Sequence, residues 1–469
     1  MSAAGVATAF ARGDLEFVDR DALAAWIVRQ RWFATKASEV VQVSVREALP
    51  LADTLALAIV EVRFPSGTHD LYQVPIGLRA AEDGQDRDAI CEAGGWQLHD
   101  ALSVPVHGLK IAQLLRESAV VDLPAGRLEF HALAQADGLD APRLVRPVPG
   151  EQTNTSLVYD ERAVVKVFRR LGAGTNPELE MLRFLTERGF PNVPELLGWY
   201  EHRGELIEAT LGIAGRYIAE ARSGWELALD ALADGEGRAW LPRLAELGTV
   251  TGEMHTLLGS APSNPDFASE EQGPEAMSLL AATIDERVER IFAELPDRPE
   301  LEPIAGRGEE IREHVRKVAQ GSGGGRLIRQ HGDLHLGQTM LAPRGWVIVD
   351  FEGEPARSLI ERRLRRSPLR DVASMLRSFS YAAAAVELQR GARPPADWEA
   401  HARGAFLDAY LQSTDSALLP PDRRTLEQML ALFELEKAIY ELRYELDHRP
   451  DWVAIPVTAI HRLLGEVAA

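Results

Sequence analysis

The densest chemistry in the sequence lies between positions 331 and 352. Asp333 sits in the run His331-Gly332-Asp333-Leu334-His335. Gln338 follows five residues later, and the apolar stretch Trp346–Val349 ends in Asp350, twelve residues after that amide. Phosphoryl transfer from a nucleotide asks for such parts: a carboxylate that orients and deprotonates the attacking hydroxyl, and oxygen ligands that hold Mg2+ on the phosphates. Asp333 suits the first task, Gln338 and Asp350 the second. Upstream, Lys166 stands at an alternating position in Ala163–Phe168, where a strand lysine can hold the α- and β-phosphates of ATP if an anion keeps it aimed. Glu180 and Glu178 follow at suitable distance, and Glu180 is preferred. Thr153, Asn154 and Ser156 belong to the polar run 150–156, whose hydroxyl and backbone N–H groups can cover phosphates. That run lacks the Gly-x-Gly-x-x-Gly pattern of protein kinases. Singly, each residue has an ordinary explanation, since loop aspartates cap turns and strand lysines are solvated. The joint order of strand Lys, helix Glu, His-Gly-Asp, amide and strand-terminal Asp points to a kinase.

The elements that must position these groups follow from hydrophobic spacing. Apolar runs at 155–159 and 163–168 flank the turn Asp160-Glu161-Arg162 and predict a hairpin. Asn176-Pro177 starts a helix that Gly189 ends. Strands are expected at 191–197 and 206–211. Beyond Tyr217 the spacing is mainly helical, at 224–234, 240–258, 275–294, 308–319, 369–387, 395–412 and 424–447, interrupted by a strand-turn-strand at 326–352. Near the start, a helix at 19–32 precedes strands at 40–48, 55–64 and 71–78, with Pro65-Ser66-Gly67 as a turn. The fold class is therefore α+β. It divides as a small cap at 1–89, an intermediate subdomain at 90–146, a β-rich N-lobe at 147–216 and a helical C-lobe at 217–469. A cleft is expected between the lobes and a hinge near Leu211–Gly215.

The 469 residues carry 71 acidic against 51 basic side chains, a net charge of −20. A surface this acidic repels polyanions, which argues against nucleic acid and anionic membrane as partners. The single cysteine, Cys91, excludes an internal disulfide and fits a reducing cytoplasm. No stretch reads as a secretory leader or a membrane span. Monomer and homodimer are both open.

The segment 331–338 is similar to the signature of the aminoglycoside phosphotransferase and choline kinase group, which shares the bilobal eukaryotic-kinase-like fold. The likeness extends to bacterial maltokinases through Asp350–Pro355, Glu361–Arg363, Ser367–Ala373, Met375–Phe379, Phe433–Lys437, Tyr440–Leu446, Arg449–Trp452 and, near the start, Gln30–Phe33. The resemblance implies transfer of the γ-phosphate of ATP to the anomeric hydroxyl of maltose, giving maltose 1-phosphate for α-glucan synthesis. It implies Asp333 as base and Gln338 and Asp350 as Mg2+ ligands, with His335 either reaching the acceptor or bracing its loop. Tyr440, Arg443, Tyr444 and Asp447 share one helix face, and the resemblance makes that face a sugar wall, with Tyr381, Arg377 and Glu354 as further candidates. The nearest alternative is a glucosamine kinase forming glucosamine 6-phosphate. An antibiotic phosphotransferase and a catalytically inactive sugar sensor fit less well.

Overall fold

The computed structural model describes residues 1–33, 39–81, 89–123, 126–149, 153–321, 324–355 and 357–466. The chain forms two compact units, Met1–Glu187 with Pro194–Ala219, and Arg188–Val193 with Glu220–Ala469.

In the first unit, helices α1 (Ala3–Ala11) and α2 (Arg20–Ile27) precede strands β1 (Gln42–Ala52), β2 (Leu55–Arg63), β3 (His69–Ala80), β4 (Ala89–Ala93) and β5 (Trp96–Asp100). The strands pair antiparallel in the order β1-β2-β3-β5-β4. Strand β2 is apolar from Leu55 to Val60 because both its faces are covered there. Ala56, Ala58, Val60 and Val62 meet a core built with Phe10, Trp26 and Ile27, while Leu57 and Ile59 meet a second core. That second core is shared with the next sheet, which follows helix α3 (Pro105–Arg116).

The next sheet comprises β6 (Val120–Leu123), β7 (Gly126–Ala132), β8 (Val145–Pro147), β9 (Asn154–Tyr159), β10 (Ala163–Phe168), β12 (Leu196–Gly204) and β13 (Glu208–Arg216), with β11 (Arg170–Leu171) and α4 (Pro177–Glu187) between β10 and β12. Its order is β6-β7-β12-β13-β10-β9-β8. The two sheets are tied together, since β11 pairs with β3 and Arg169 meets Asp100 at 2.5 Å. The expected boundary at 89 thus falls inside the first sheet. The segment 90–146 is no subdomain of its own: β4 and β5 complete the first sheet, and β6 and β7 extend the second. Strand pairing joins residues distant in sequence, so local composition did not reveal this division. The expected hinge at Leu211–Gly215 lies within β13, and the units divide after Ala219.

The second unit is mainly helical. It contains β14 (Arg222–Ser223), α5 (Gly224–Ala233), α6 (Leu241–Leu258), β15 (Glu270–Glu271), α7 (Pro274–Ala293), α8 (Gly308–Gly321), β16 (Arg326–Leu327), β17 (Thr339–Ala342), β18 (Gly345–Ile348), α9 (Leu359–Arg362), α10 (Leu369–Arg390), α11 (Trp398–Ser413), α12 (Arg423–His448) and α13 (Ala454–Glu466). Helix α12 starts where Asp422 accepts from Thr425 N at 2.9 Å. It is buried on more than one side and carries four buried glutamates. Each is answered by an arginine: Glu434 by Arg403, Glu436 by Arg370, Glu441 by Arg377 and Glu445 by Arg449. No helix among the described residues is long and apolar enough to cross a membrane.

Candidate active site

In the first unit, β10 lies between β9 and β13, with Lys166 opposite Ser156 and Ile213. Lys166 Nζ donates to Glu178 Oε2 at 2.7 Å. Glu178 is fixed in turn by the helix start, where its N–H donates to Asn176 Oδ1 at 2.8 Å. Lys166 thus pairs with Glu178, where Glu180 had been preferred. Positions two apart on a helix point about 200° apart, and spacing alone does not say which side meets the strand. Asn154 and Ser156 are buried strand residues rather than loop residues, and only Thr153 of the three precedes the strand. Gly150, Glu151 and Gln152, expected to cover phosphates, lie outside the described residues.

In the second unit, the loop bearing Asp333 is held from α10. Asp371 accepts from His331 N at 2.8 Å and Gly332 N at 2.9 Å. The same carboxylate meets His255 Nε2 at 3.2 Å, and His255 Nδ1 lies 3.0 Å from the Tyr410 hydroxyl. Burial favours the neutral acid, but the His255 hydrogen bond, the nearby His255 and His331 rings and the Gly332 amide hold Asp371 below the usual carboxylate range. His331 Nδ1 accepts from Asp333 N at 3.3 Å, which leaves Nε2 to donate to Val349 O at 2.9 Å. The imidazole thereby ties the loop to the end of β18. His335 caps the short turn 336–338 by accepting from Gly337 N at 3.0 Å, with Nε2 4.0 Å from Asp333. It braces the loop and also lines the cavity described below.

Asp350 has φ 66°. A non-glycine residue held there is strained, a state that folds tolerate mainly at functional sites. Its Oδ2 accepts from Gln338 Nε2 at 2.9 Å, which brings the two side chains together. Carboxylate and amide oxygens are hard donors, the kind Mg2+ takes.

Sequence reasoning missed Lys437 as a site residue. From α12 its Nζ reaches Asp333 Oδ1 at 3.2 Å and Glu354 Oε1 at 3.4 Å. Burial works against its charge, but the two carboxylates raise its pKa above the ordinary lysine value. Glu354 shows the reverse balance: burial favours its neutral form, yet Lys437 and Arg357 hold it at about 2. The available signal was a lysine set in the apolar context Leu435, Ala438 and Ile439.

Asp333, Glu354 and Lys437 open onto a cavity of about 790 Å³ within this unit. Its wall also carries Tyr381, Tyr440, Tyr444, Glu445 and Trp452. Tyr381 stacks on Trp452 with ring centroids 6.2 Å apart. Four acceptor candidates therefore reach the cavity: Glu354, Tyr381, Tyr440 and Tyr444. Arg377 does not line it, because it is buried behind the wall and holds Glu441 at 2.7 Å. Arg443 and Asp447 face solvent instead, paired with each other at 2.9 Å, while Arg443 also meets Glu294 at 2.9 Å. Glu445 was not foreseen. Its Oε1 accepts from the Tyr381 hydroxyl at 3.1 Å and Arg449 at 2.7 Å. Its Oε2 is buried with no hydrogen-bond partner. Burial pushes its carboxyl up.

Comparison with known proteins fits this geometry. Residues 26–103 match the Maltokinase N-terminal cap domain, and residues 144–354 match the Phosphotransferase enzyme family. A glucosamine kinase from Streptacidiphilus jiangxiensis is 29% identical over 340 residues, covering 68% of this chain and 75% of that protein. One from Mycolicibacterium smegmatis is 28% identical over 333 residues, covering 68% and 80%. A glucosamine kinase solved in complex with glucosamine, ADP and inorganic phosphate superposes with a TM-score of 0.69 at 22% identity, over 95% of this chain and 99% of that one. The chain has that mixed α+β, kinase-like fold, headed by a cap domain.

Proposed function

We propose that this chain is an ATP-dependent sugar kinase whose acceptor is an amino sugar of the glucosamine class. Asp333 takes the proton of the acceptor hydroxyl as that oxygen bonds to the γ-phosphorus of ATP. The bond from γ-phosphorus to the bridging oxygen breaks, and ADP leaves. Lys437 keeps the Asp333 carboxylate oriented and brings positive charge to the cavity wall, where the transferring group's charge needs an answer. Lys166, aimed by Glu178, takes the α- and β-phosphates. Gln338 and Asp350 would hold Mg2+, which neutralises phosphate charge when bound.

The observation that carries the acceptor class is Glu445 Oε2, buried without a hydrogen bond in the wall of the cavity that Asp333 lines. A buried carboxylate oxygen left unmet is costly. An ammonium group offers three donors and the opposite charge. The glucosamine kinases that this chain resembles support the same reading.

A second reading is maltose phosphorylated at its anomeric hydroxyl. It is favoured by the match of residues 26–103 to the maltokinase cap and by the size of the cavity, about 790 Å³. The Tyr440, Tyr444 and Trp452 rings there give two sugar rings apolar faces to lie on.

ADP release from Mg·ATP with glucosamine, maltose or glucose decides, with the product's phosphorylated position read by NMR. Glucosamine should drive release, and Asp333→Asn should abolish it. Glu445→Gln should raise the glucosamine KM about tenfold, the cost of one charge-assisted contact, with little change for glucose. Release with maltose alone would establish the second reading. Acceptor-independent release in all cases would overturn both.

A further inference from the structure

Behind the Lys437–Glu354 pair, α7, α10, α12 and the segment after β18 enclose a second, smaller space in the same unit. Three guanidinium groups crowd one carboxylate oxygen: Arg370, Arg287 and Arg357 lie 2.7, 3.8 and 4.0 Å from Glu436 Oε1. Arg357 also pairs with Glu354. A fourth, Arg366, is half-buried beside them. Its backbone pairs with Ile328 at 2.9 Å in both directions. Among the described residues its guanidinium makes neither a hydrogen bond nor an ion pair. The charges of Arg370 and Arg357 add to burial in pushing Arg366 down to about 10. In the same wall, Gln330 Oε1 is buried with no partner.

These groups line a space of about 50 Å³. One water needs about 10–15 Å³ on this measure, so the space suits a small polyatomic ion and not a sugar ring. Five arginines and Lys437 line it against Glu354, Glu361, Asp371 and Glu436, and Glu354 is shared with Lys437. The sequence as a whole carries −20, so this unmatched local positive charge stands out. None of Asp333, Gln338 and Asp350 lines the space.

We propose that this pocket binds inorganic phosphate in its hydrogen-phosphate form, next to the acceptor cavity, with which it shares Glu354, Lys437 and Tyr440 as a common wall. Arg366, Arg370 and Arg357 donate to its oxygens, and Gln330 Oε1 accepts from its hydroxyl. The bound anion supplies the charge that Arg366 lacks. Through Glu354 and Lys437 its presence reaches Asp333, which gives a kinase of any acceptor specificity a means of sensing free phosphate.

Thermal unfolding tests this in EDTA without nucleotide, with phosphate exchanged for chloride at constant ionic strength. The wild-type midpoint should rise with phosphate and saturate, by about 2 °C or more. Sulfate, which has no hydroxyl to offer Gln330 at neutral pH, should give a smaller rise. Arg366→Gln removes a half-buried charge that has no hydrogen-bonded or ion-paired partner among the described residues, so its midpoint without phosphate should be equal or higher, and the phosphate increment should vanish. Arg366→Lys, which keeps the charge but loses the planar fork, should show a reduced increment and serves if the first variant does not fold. Equal effects of phosphate and chloride on the wild type would overturn the site, as would a full increment in either variant. A rise with glucosamine 6-phosphate that depends on Arg366 would overturn the commitment to free phosphate and assign the site to a phosphorylated product.

Discussion

Lys437 bridges Asp333, proposed as the base, and Glu354, and all three side chains are largely withdrawn from solvent. Removing one partner from such a cluster leaves buried like charges facing each other. Lys437→Met should therefore cost about 3–5 kcal/mol of stability, measured by urea unfolding near neutral pH, and should lower kcat more than it raises the KM for ATP. The cluster also has a pH signature. Glu354 is held at about 2 in the folded chain, below its unfolded value of about 4.3. Its stabilisation is complete above the unfolded value and fades as pH falls toward the folded one. In Lys437→Met the folded value rises, so that acid-side loss should shrink and move to higher pH. Unfolding midpoints across acidic pH will show an unchanged profile if Lys437 is not the cation responsible.

At the scale of elements, the loop carrying Asp333 owes its shape to α10. Asp371 accepts two successive backbone amides and a His255 contact, so it positions the loop of Asp333 without lining the main cavity. Asp371→Asn keeps the shape but gives up one acceptor, so one loop amide is left poorly met. Misplacing a reacting group by about 1 Å can cost about 10²-fold. A fall in kcat of about that size is expected, with the acceptor KM little changed, and steady-state kinetics with both substrates varied will separate the two. Helix lengths were legible because apolar periodicity is local: α6, α7 and α12 lie within one residue of the expected bounds at both ends. Helix α13 was not foreseen, and β12 starts at Leu196, within the segment 191–197 expected to form that strand. Pro194 explains the latter, since proline lacks the N–H that a strand interior needs.

At the scale of the molecule, the cap sheet and the sheet bearing Lys166 are one unit. Gln73 on β3 is fully buried, and its Nε2 donates to Phe168 O at 2.9 Å and Leu211 O at 2.7 Å. Its Oε1 accepts from the Tyr200 hydroxyl at 3.0 Å. One amide thus links the cap to the two strands that neighbour each other around Lys166. Gln73→Leu strands these partners without water and should cost about 2–4 kcal/mol. Hydrogen exchange should quicken together in β3, β10 and β13, while amides of α12 keep their wild-type protection. Quickening confined to β3 would show that the cap is an independent attachment.

The sequence by itself determined the α+β class, most helix spans and the order of chemical groups from Lys166 to Asp350, because periodicity and motif spacing are properties of neighbouring residues. It also narrowed the partner of Lys166 to two glutamates. Tertiary structure decided which glutamate faces the lysine, since that depends on how α4 is rotated against β10. It decided that Arg443 and Asp447 point to solvent while Tyr440 and Tyr444 line the cavity, although all four share a helix face by spacing. It brought Lys437 to Asp333 across a sequence separation of 104 and set Glu445 without a partner for its second oxygen. Burial and charge balance at these places come from elements that meet only when the chain folds, and no local pattern carries them.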